Sequence, residues 1–469
     1  MEKTKHTIAE LFDLQKSGVV ARRTSFDYAA RRAALDRLEA KILAEEDAIC
    51  AAVAADFGKH RDEVMLTEII PVLLEITHTR KHLRRWMRPK HAASGLAFLG
   101  TSARVHPTPK GAALIIAPWN FPFNLAIGPL VSALAAGCSV ILKPSELTPA
   151  TTALINRMIT EIFEPDLVAV VEGGVDVATE LLALPFDHIF FTGSPEVGQI
   201  VMKAASKTLA TVTLELGGKS PVIVGPDANI KNAARWIAWG RFLNGGQTCV
   251  ATDHVYVHED VRDAFTTALA AEVTRMYGVD PLTSKNLAQM AHPRQWARVA
   301  ALIDDARTKG VTVLVGGQAD EATRKIAPTV LLDLRDDMDV QQTEIFGPVL
   351  PVMPYSDLEQ VIGKINDAPH PLALYVFGNK ALADEVISKT TSGSVGVNMS
   401  VMVFAHPTAP FGGVGRSGNG GAHGYAGFAV FSHMRQVLRA RFFPFHVVFP
   451  PYTKMTGRLV GLVKRIVRL

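Results

Sequence analysis

Residues 112–144 read AALIIAPWNFPFNLAIGPLVSALAAGCSVILKP. Two short apolar runs, AALIIAP (112–118) and SVILKP (139–144), flank a helical segment, PLVSALAAG (129–137). Short continuous apolar strands separated by helices predict a parallel sheet covered on both faces and joined by right-handed crossovers. The alternation continues with a helix near 149–163, VAVVEGG (168–174), HIFFTGS (188–194) and a helix near 196–209. Upstream, residues 26–88 carry apolar residues at three-and-four spacing and predict helices, which Pro89 ends. Downstream of TVTLELGG (211–218) a second alternating block begins. Its helices fall near 229–243, 261–276 and 295–309, and its strands include HVYVHE, VTVLVGG, VLPVMPY (349–355), LALYVFG (372–378) and GSVGVNM (393–399). The expected fold is two α/β domains joined near 211–218, with a small irregular module built from the remaining pieces. A Gly-rich stretch, FGGVGRSGNGGAHGYAG (411–427), precedes the final segment.

The chain has 469 residues, 48% hydrophobic and 20% charged, a globular balance that excludes disorder and small disulfide scaffolds. Its length predicts two to three domains. The three cysteines, Cys50, Cys138 and Cys249, are far apart, which argues against a disulfide framework and for a reducing cytoplasm. The N-terminal stretch has no apolar h-region, so no secretory signal is expected, and no window of 18 uncharged apolar residues predicts a membrane span. Net charge is +4, but it is uneven. Residues 386–469 hold ten Lys/Arg and no acid, so residues 1–385 carry −6 (39 basic against 45 acidic). Such asymmetry flags a basic terminal segment that meets an anionic surface. Metal-ligand spacing, a Walker A motif, a G-x-S-x-G elbow and a basic aromatic face for nucleic acid are all missing, so neither a catalytic metal nor nucleic acid is expected.

Several residues could carry chemistry. Cys249 in NGGQTCVA follows a helix (WIAWGRFL) and a glycine pair; near a turn it can be approached and activated as thiolate, although a lone cysteine is more often a small buried hydrophobe. Glu215 in TVTLELGGKSP closes a strand beside Gly217 and Gly218. It reads either as a buried general base or as a carboxylate paired with Lys219. Asn120 in IIAPWNFPF sits between Pro118 and Pro122, which hold its amide rigid enough to donate to a developing oxyanion. Lys143 and Glu146 in ILKPSEL could bracket a ribose diol, or Ser145, Glu146 and Thr148 could simply open the next helix. FFTGSPEVGQIV (190–201) is a strand, Gly193-Ser194, then a helix whose N-terminus suits pyrophosphate, though Gly193 and Gly198 are not G-x-G-x-x-G. EIFGP (344–348) places Glu344 and Phe346 in a turn.

These pieces come in one order: PWNFP, KPSE, FTGSPEVG, ELGGK, GQTC, EIFGP and PFGGVGRSG. In that order the chain resembles the aldehyde dehydrogenase superfamily, from about residue 26 to about residue 437, and the 34-residue gap between Glu215 and Cys249 fits it too. It is most similar to the shorter class 3 branch of fatty, aromatic and coniferyl aldehyde dehydrogenases, through PLALYVFG and the set His423, Gly424, Gly427, Phe428, Phe431, Ser432 and His433. The resemblance implies the aldehyde dehydrogenase fold: a Rossmann-like cofactor domain (1–88 and 106–212), a catalytic α/β domain (213–400), and a bridging and oligomerisation module (89–105 and 401–437), in a homodimer. It implies NAD or NADP as cofactor.

Residue roles follow from the matched motifs. Cys249 matches the nucleophile that forms a thiohemiacetal and then, after hydride loss to the nicotinamide, a thioester. Asn120 and the Cys249 backbone N–H match the oxyanion hole, and Glu215 the base that activates water. Lys143 and Glu146 match the adenine-ribose contacts, Gly193, Ser194 and Gly198 the pyrophosphate turn, and Glu344 with Phe346 the nicotinamide-ribose clamp; Pro118, Trp119, Leu216 and Gly217 complete the cofactor set. Trp239 matches a wall of the substrate tunnel, joined by Phe121, Thr248, Met399 and Phe404. Phe121 stands where mammalian aromatic-aldehyde members often carry Tyr, which favours an apolar pocket and an apolar aldehyde. Met399, Met402, Val403 and Phe404 read equally well as tunnel mouth or as core. Two other functions share this fold: acyl transfer to coenzyme A, and binding without catalysis. Glu215 argues against the first, and intact Cys249, Glu215, Asn120 and Lys143 against the second.

Residues 438–469 are predicted to end in a basic amphipathic helix. Lys454, Arg458, Lys464, Arg465 and Arg468 fall mainly on one side, and Met455, Leu459, Leu462, Val463, Ile466 and Leu469 on the other. Charge interrupts the stretch, so it cannot cross a bilayer. Either it lies peripherally on a membrane surface or it packs on a dimer partner or its own domain.

Overall fold

The computed structural model describes residues 6–93, 95, 98, 100–442, 446 and 449–467. Arg468, Leu469 and most of the run before Pro450 lie outside them. Two sheets dominate. The first has six strands in the order Gly418–Asn419, Thr211–Leu216, His188–Gly193, Ala112–Ile116, Ser139–Lys143, Val168–Val170. All its pairings are parallel except that of the two-residue edge strand, which is antiparallel. Every residue of Ala112–Ile116 and Ser139–Lys143 is buried, which is why both read as unbroken apolar runs. The helices Asn124–Ala136 and Pro149–Ile162 and the N-terminal helices Tyr28–Ala44, Glu46–Phe57 and Ile70–Met87 supply the core on one face. Phe12, Leu181 and Val201 help cover the other.

The chain leaves Ala112–Ile116 toward one edge, through 139–143 and 168–170, then returns to add His188–Gly193 on the opposite side. Strand order therefore reverses between Ala112–Ile116 and His188–Gly193. In open α/β sheets ligands bind at such a reversal, outside the carboxyl ends of the strands.

The second sheet has seven strands, ordered Thr312–Val315, Thr329–Leu332, Val349–Tyr355, His254–His258, Pro221–Val224, Ala373–Phe377, Ser394–Val397. A third, antiparallel sheet joins Lys90–Ala92, Thr101–Pro109 and Ser432–Ala440.

Three boundaries differ from the sequence reading. Thr211–Leu216 pairs with His188–Gly193 at all six positions, so residues 213–216 belong to the first sheet and the crossing to the second falls after Leu216. Ser432–Ala440 pairs with Thr101–Pro109 along its whole length, which carries the bridging module past 437 to 440 and past 105 to 109. Within 401–437, Gly418–Asn419 extends the first sheet, and the helix Gly424–Val430 packs on Asn124–Ala136 and Ile70–Met87. Gly427 permits that approach, because a Cβ there would collide with the Ser132 hydroxyl.

Lys454–Val467 is a helix in which Met455, Val460, Leu462 and Val463 are exposed and Leu459 is half-buried. Met455 is 59% exposed, Leu462 54% and Val463 43%. No helix among the described residues is long and apolar enough to cross a membrane.

Candidate active site

A cleft of about 1460 Å³ opens at the strand reversal of the first sheet and reaches the second. Pro118, Trp119, Asn120, Glu215, Cys249 and Glu344 share its wall, although up to 226 residues separate them in the chain (118 to 344). The nucleophile candidate follows a left-handed turn: Asn244, Gly245 and Gly246 have φ of 56°, 61° and 75°. Two glycines lower the cost of that path. At Gly246 a Cβ would also strike the Gly347 carbonyl, so this turn touches the EIFGP loop directly. Cys249 is partly buried, whereas Cys50 and Cys138 are buried in other cores. Burial pushes the Cys249 thiol up to about 12, and the Glu344 and Glu215 carboxylates act in the same direction. The resting form is therefore the thiol.

Asn120 is 4% exposed, and its Nδ2 donates to the Gln247 carbonyl at 3.0 Å. An amide nitrogen has two hydrogens, so one remains for a ligand. Asn244 Nδ2 donates back to the Asn120 carbonyl at 2.8 Å and to Gln247 at 3.2 Å. The two loops are thus stitched together two residues before Cys249.

Glu215 stands at the end of Thr211–Leu216, paired with Thr192 and Gly418. Both its carboxyl oxygens are buried and, among the described residues, without a hydrogen-bond partner. Burial alone raises the group to about 8. A buried carboxyl with two free acceptors, facing a cleft, is suited to take a proton from water. Lys219 does not pair with it. It sits 2.6 Å from Asp253 instead.

Five successive carbonyls of the 343–347 loop are each held by a side chain. Lys219 donates to Thr343 at 2.9 Å, Arg298 to Glu344 at 3.2 Å and to Ile345, Gln295 to Phe346 at 2.8 Å, and Arg241 to Gly347. Asp253 accepts from the Ile345 N–H at 3.0 Å. Burial would raise the Asp253 carboxyl, but Lys219, His254 and Arg241 outweigh it and hold it below the usual carboxylate range. So clamped, Phe346 stays at φ 46°, unusual for a bulky residue, with its ring 5.3 Å edge-on from Trp119. The Glu344 carboxyl lies over Gly217, where any Cβ would collide with it, and burial raises it to about 8.

The cofactor candidates divide. Pro118, Trp119, Glu146, Gly193, Ser194, Leu216, Gly217, Glu344 and Phe346 line the cleft. Lys143 is 4% exposed and off the wall; its ammonium donates to Glu146 at 2.9 Å and to the Pro144 carbonyl at 3.2 Å, so Glu146 presents the pair to the cleft. Gly198 is buried inside the helix Pro195–Ser206, where a Cβ would press on Leu216; its place is helix-against-strand packing rather than the cleft. The helix N-terminus beside Gly193 and Ser194, the bare backbone at Gly217 and the cleft volume together fit a dinucleotide.

The substrate candidates lie off this wall. Trp239 and Phe404 pack with Cys249 on one apolar cluster of the second domain. Trp239 also lines a separate cavity of about 340 Å³ with Glu63, Leu243 and Tyr277. Phe121 is buried under the Lys59 ammonium, Met399 is 42% exposed, and the Thr248 hydroxyl is buried with no partner among the described residues. The sequence reading missed Arg241, Asp253, Asn244, Glu63 and Glu68. Each looks like an ordinary polar residue locally, and only burial reveals it.

Residues 19–437 match the model of the aldehyde dehydrogenase family. The chain is 40% identical over 428 residues to 4,4'-diaponeurosporen-aldehyde dehydrogenase of Staphylococcus aureus, covering 91% of this chain and 93% of that one. It is also 40% identical over 405 residues to aldehyde dehydrogenase family 3 member A2 of Pongo abelii, covering 86% and 82%. Among solved structures, the substrate-bound state of Staphylococcus aureus AldH superposes with a TM-score of 0.93 at 38% identity, covering 98% of this chain and all of that one.

Proposed function

The chain belongs to the aldehyde dehydrogenase family, with class 3 members among its relatives, and on that premise we propose that it oxidises apolar aldehydes, medium or long aliphatic or aromatic, to carboxylic acids through a Cys249 thioester. The observation that carries the chemistry is the convergence of Cys249, Asn120 and the unpartnered Glu215 on one cleft. Cys249 Sγ, its proton passed to solvent, adds as thiolate to the carbonyl carbon, and the carbonyl oxygen takes the negative charge against the Asn120 amide and the Cys249 N–H. NAD or NADP would be held along Glu146, Gly193, Ser194, Gly217 and Glu344 and would supply the two-electron oxidant, accepting the hydride whose loss leaves the Cys249 thioester. Glu215 then takes a proton from water, whose oxygen bonds to the acyl carbon as the C–S bond breaks and the thiol is regenerated.

Apolarity of the substrate rests on the side chains of Phe121, Trp239, Phe404 and the partly exposed Met399. The staphylococcal relative is named for 4,4'-diaponeurosporen-aldehyde. An aldehyde panel run with each cofactor tests it. kcat/KM for octanal or cinnamaldehyde is expected to exceed that for succinic semialdehyde by at least about tenfold, the size of one or two buried methylenes' worth of discrimination. A preference for the semialdehyde overturns the reading, and turnover that requires coenzyme A and yields an acyl-CoA thioester would assign acyl transfer instead.

The same reading makes the protein a homodimer at a membrane surface. Ser432–Ala440 is a nine-residue edge strand, a ready template for a second copy. The exposed helix Lys454–Val467 carries Lys454, Arg458, Lys464 and Arg465 along one side of an apolar stripe of Met455, Leu459, Leu462 and Val463, the pattern of an interfacial helix on anionic lipid. Full-length protein is expected to sediment with anionic liposomes at low salt, and protein truncated after Arg441 to stay in solution. Equal sedimentation refutes the membrane reading. A truncation that splits the dimer assigns the helix to the partner.

A further inference from the structure

Two carboxylates outside the cleft, Glu68 buried and Glu63 half-buried, are used by nothing described so far. Glu63 and Glu68 stand five residues apart on a segment that is α-helical over Arg61–Val64 and a π-helix over Met65–Ile69. In a regular α-helix residues five apart point about 140° away from one another, at roughly 100° per residue. The π-turn Met65–Ile69 changes that phase, and such turns recur at functional sites.

Each carboxylate reaches a different loop. Glu68 Oε2 accepts from the backbone N–H groups of Phe123 at 3.2 Å and Asn124 at 2.9 Å. Those N–H groups open the helix Asn124–Ala136, whose own N-cap, Phe123, has no side chain able to cap it. A carboxylate at a helix N-terminus meets both the orphan donors and the positive end of the dipole. Thr67 adds its carbonyl, which accepts from Asn124 Nδ2 at 3.0 Å. The turn carrying Asn120 is thereby tied down three and four residues beyond the amide. Glu63 Oε1 accepts from the Asn244 N–H at 2.9 Å, at the residue held at φ 56°. Between the two, Lys59 is 2% exposed, with its ammonium 3.4 Å from Glu68 and 4.6 Å from the ring centre of Phe121.

We propose that Glu68 and Glu63, with Lys59 as their shared counter-charge, are the positioning residues of the oxyanion site. Glu68 holds the Asn120 turn and Glu63 holds the Asn244 turn, in the register that aims the Asn120 amide and the Cys249 N–H at one oxygen. The inference rests on the reading of Asn120 as an oxyanion donor. Burial pushes both glutamates up, against Lys59, so the arrangement costs free energy that a purely apolar contact would not. The retained function is geometric.

A double-mutant cycle tests this on the full-length protein, read as the rate of the first-turnover NADH burst with octanal at saturating NAD. Asn120→Ala is expected to slow the burst about 100-fold, the loss that follows removal of one oxyanion donor. Glu68→Ala should slow it at least about tenfold while KM for NAD stays within about twofold. Glu68→Gln, which keeps an oxygen for the two N–H groups, should recover most of that loss. In the Asn120→Ala background, Glu68→Ala should add less than about twofold, because residues acting as one unit are not additive. Should Glu68→Ala fail to fold, Glu63→Ala carries the same cycle, since Glu63 is only half-buried. Undiminished loss in the Asn120→Ala background overturns the positioning role, as does a Gln variant no better than Ala. A wild-type burst in Asn120→Ala alone sinks the oxyanion reading and leaves the cycle's result separately legible.

Discussion

Replacing Cys249 by alanine is expected to abolish aldehyde oxidation, by on the order of 10⁵- to 10⁶-fold in kcat, the scale seen when a covalent nucleophile is removed. No other thiol lines the cleft, since Cys50 and Cys138 are buried in the first domain's core. Substitution at a partly buried thiol removes little packing, so dinucleotide binding and the melting temperature should stay near those of the parent. Alkylation gives an independent reading. With its thiol pushed up to about 12, Cys249 should react slowly with iodoacetamide at neutral pH and faster as pH rises, since the thiolate is the nucleophile. Turnover of Cys249→Ala within tenfold of the parent would remove the thioester route.

Glu215→Gln should separate the two halves of the reaction. Acyl-enzyme still forms, so a burst of reduced cofactor is expected, followed by a steady rate lower by about 10²- to 10⁴-fold, the usual contribution of a positioned general base. Burial raises the Glu215 carboxyl to about 8, so at pH 7 most of it is protonated and unable to accept a proton. Deacylation in the parent should therefore climb as pH rises through 8 and level off above it, and the Gln variant should lose that limb. A variant with neither a burst nor a slower steady rate would assign the base elsewhere, with Glu344, raised by burial to about 8 as well, the next group to substitute.

Much of this molecule is legible without coordinates. Ala112–Ile116 and Ser139–Lys143 are apolar at every position because both sheet faces are covered, and five-residue runs of that kind have few other uses. Asn120 between two prolines, Gly217 beside Glu215 and the Gly245-Gly246 pair before Cys249 announce backbone that must turn tightly near a ligand. Those signals are local, since φ restriction and the lack of a Cβ act within a residue or two. The basic and apolar sides of Lys454–Val467 are equally local, being set by helical spacing alone.

Other features were decided only by how distant segments cross. Gly198 looks like part of a phosphate turn until the chain places Leu216 against it. Lys219 could have paired with Glu215 four residues away but instead meets Asp253, 34 residues on. Lys59, Glu63 and Glu68 lie in KHRDEVMLTE (59–68), within the segment predicted to be helical, and the two carboxylates meet Phe123, Asn124 and Asn244 N–H groups from 55 to 181 residues downstream, with Lys59 beside Glu68. A charged residue carries the same local pattern whether water or a far backbone amide satisfies it. Which of the two does so depends on burial, and burial is a property of the assembled fold rather than of any window of sequence.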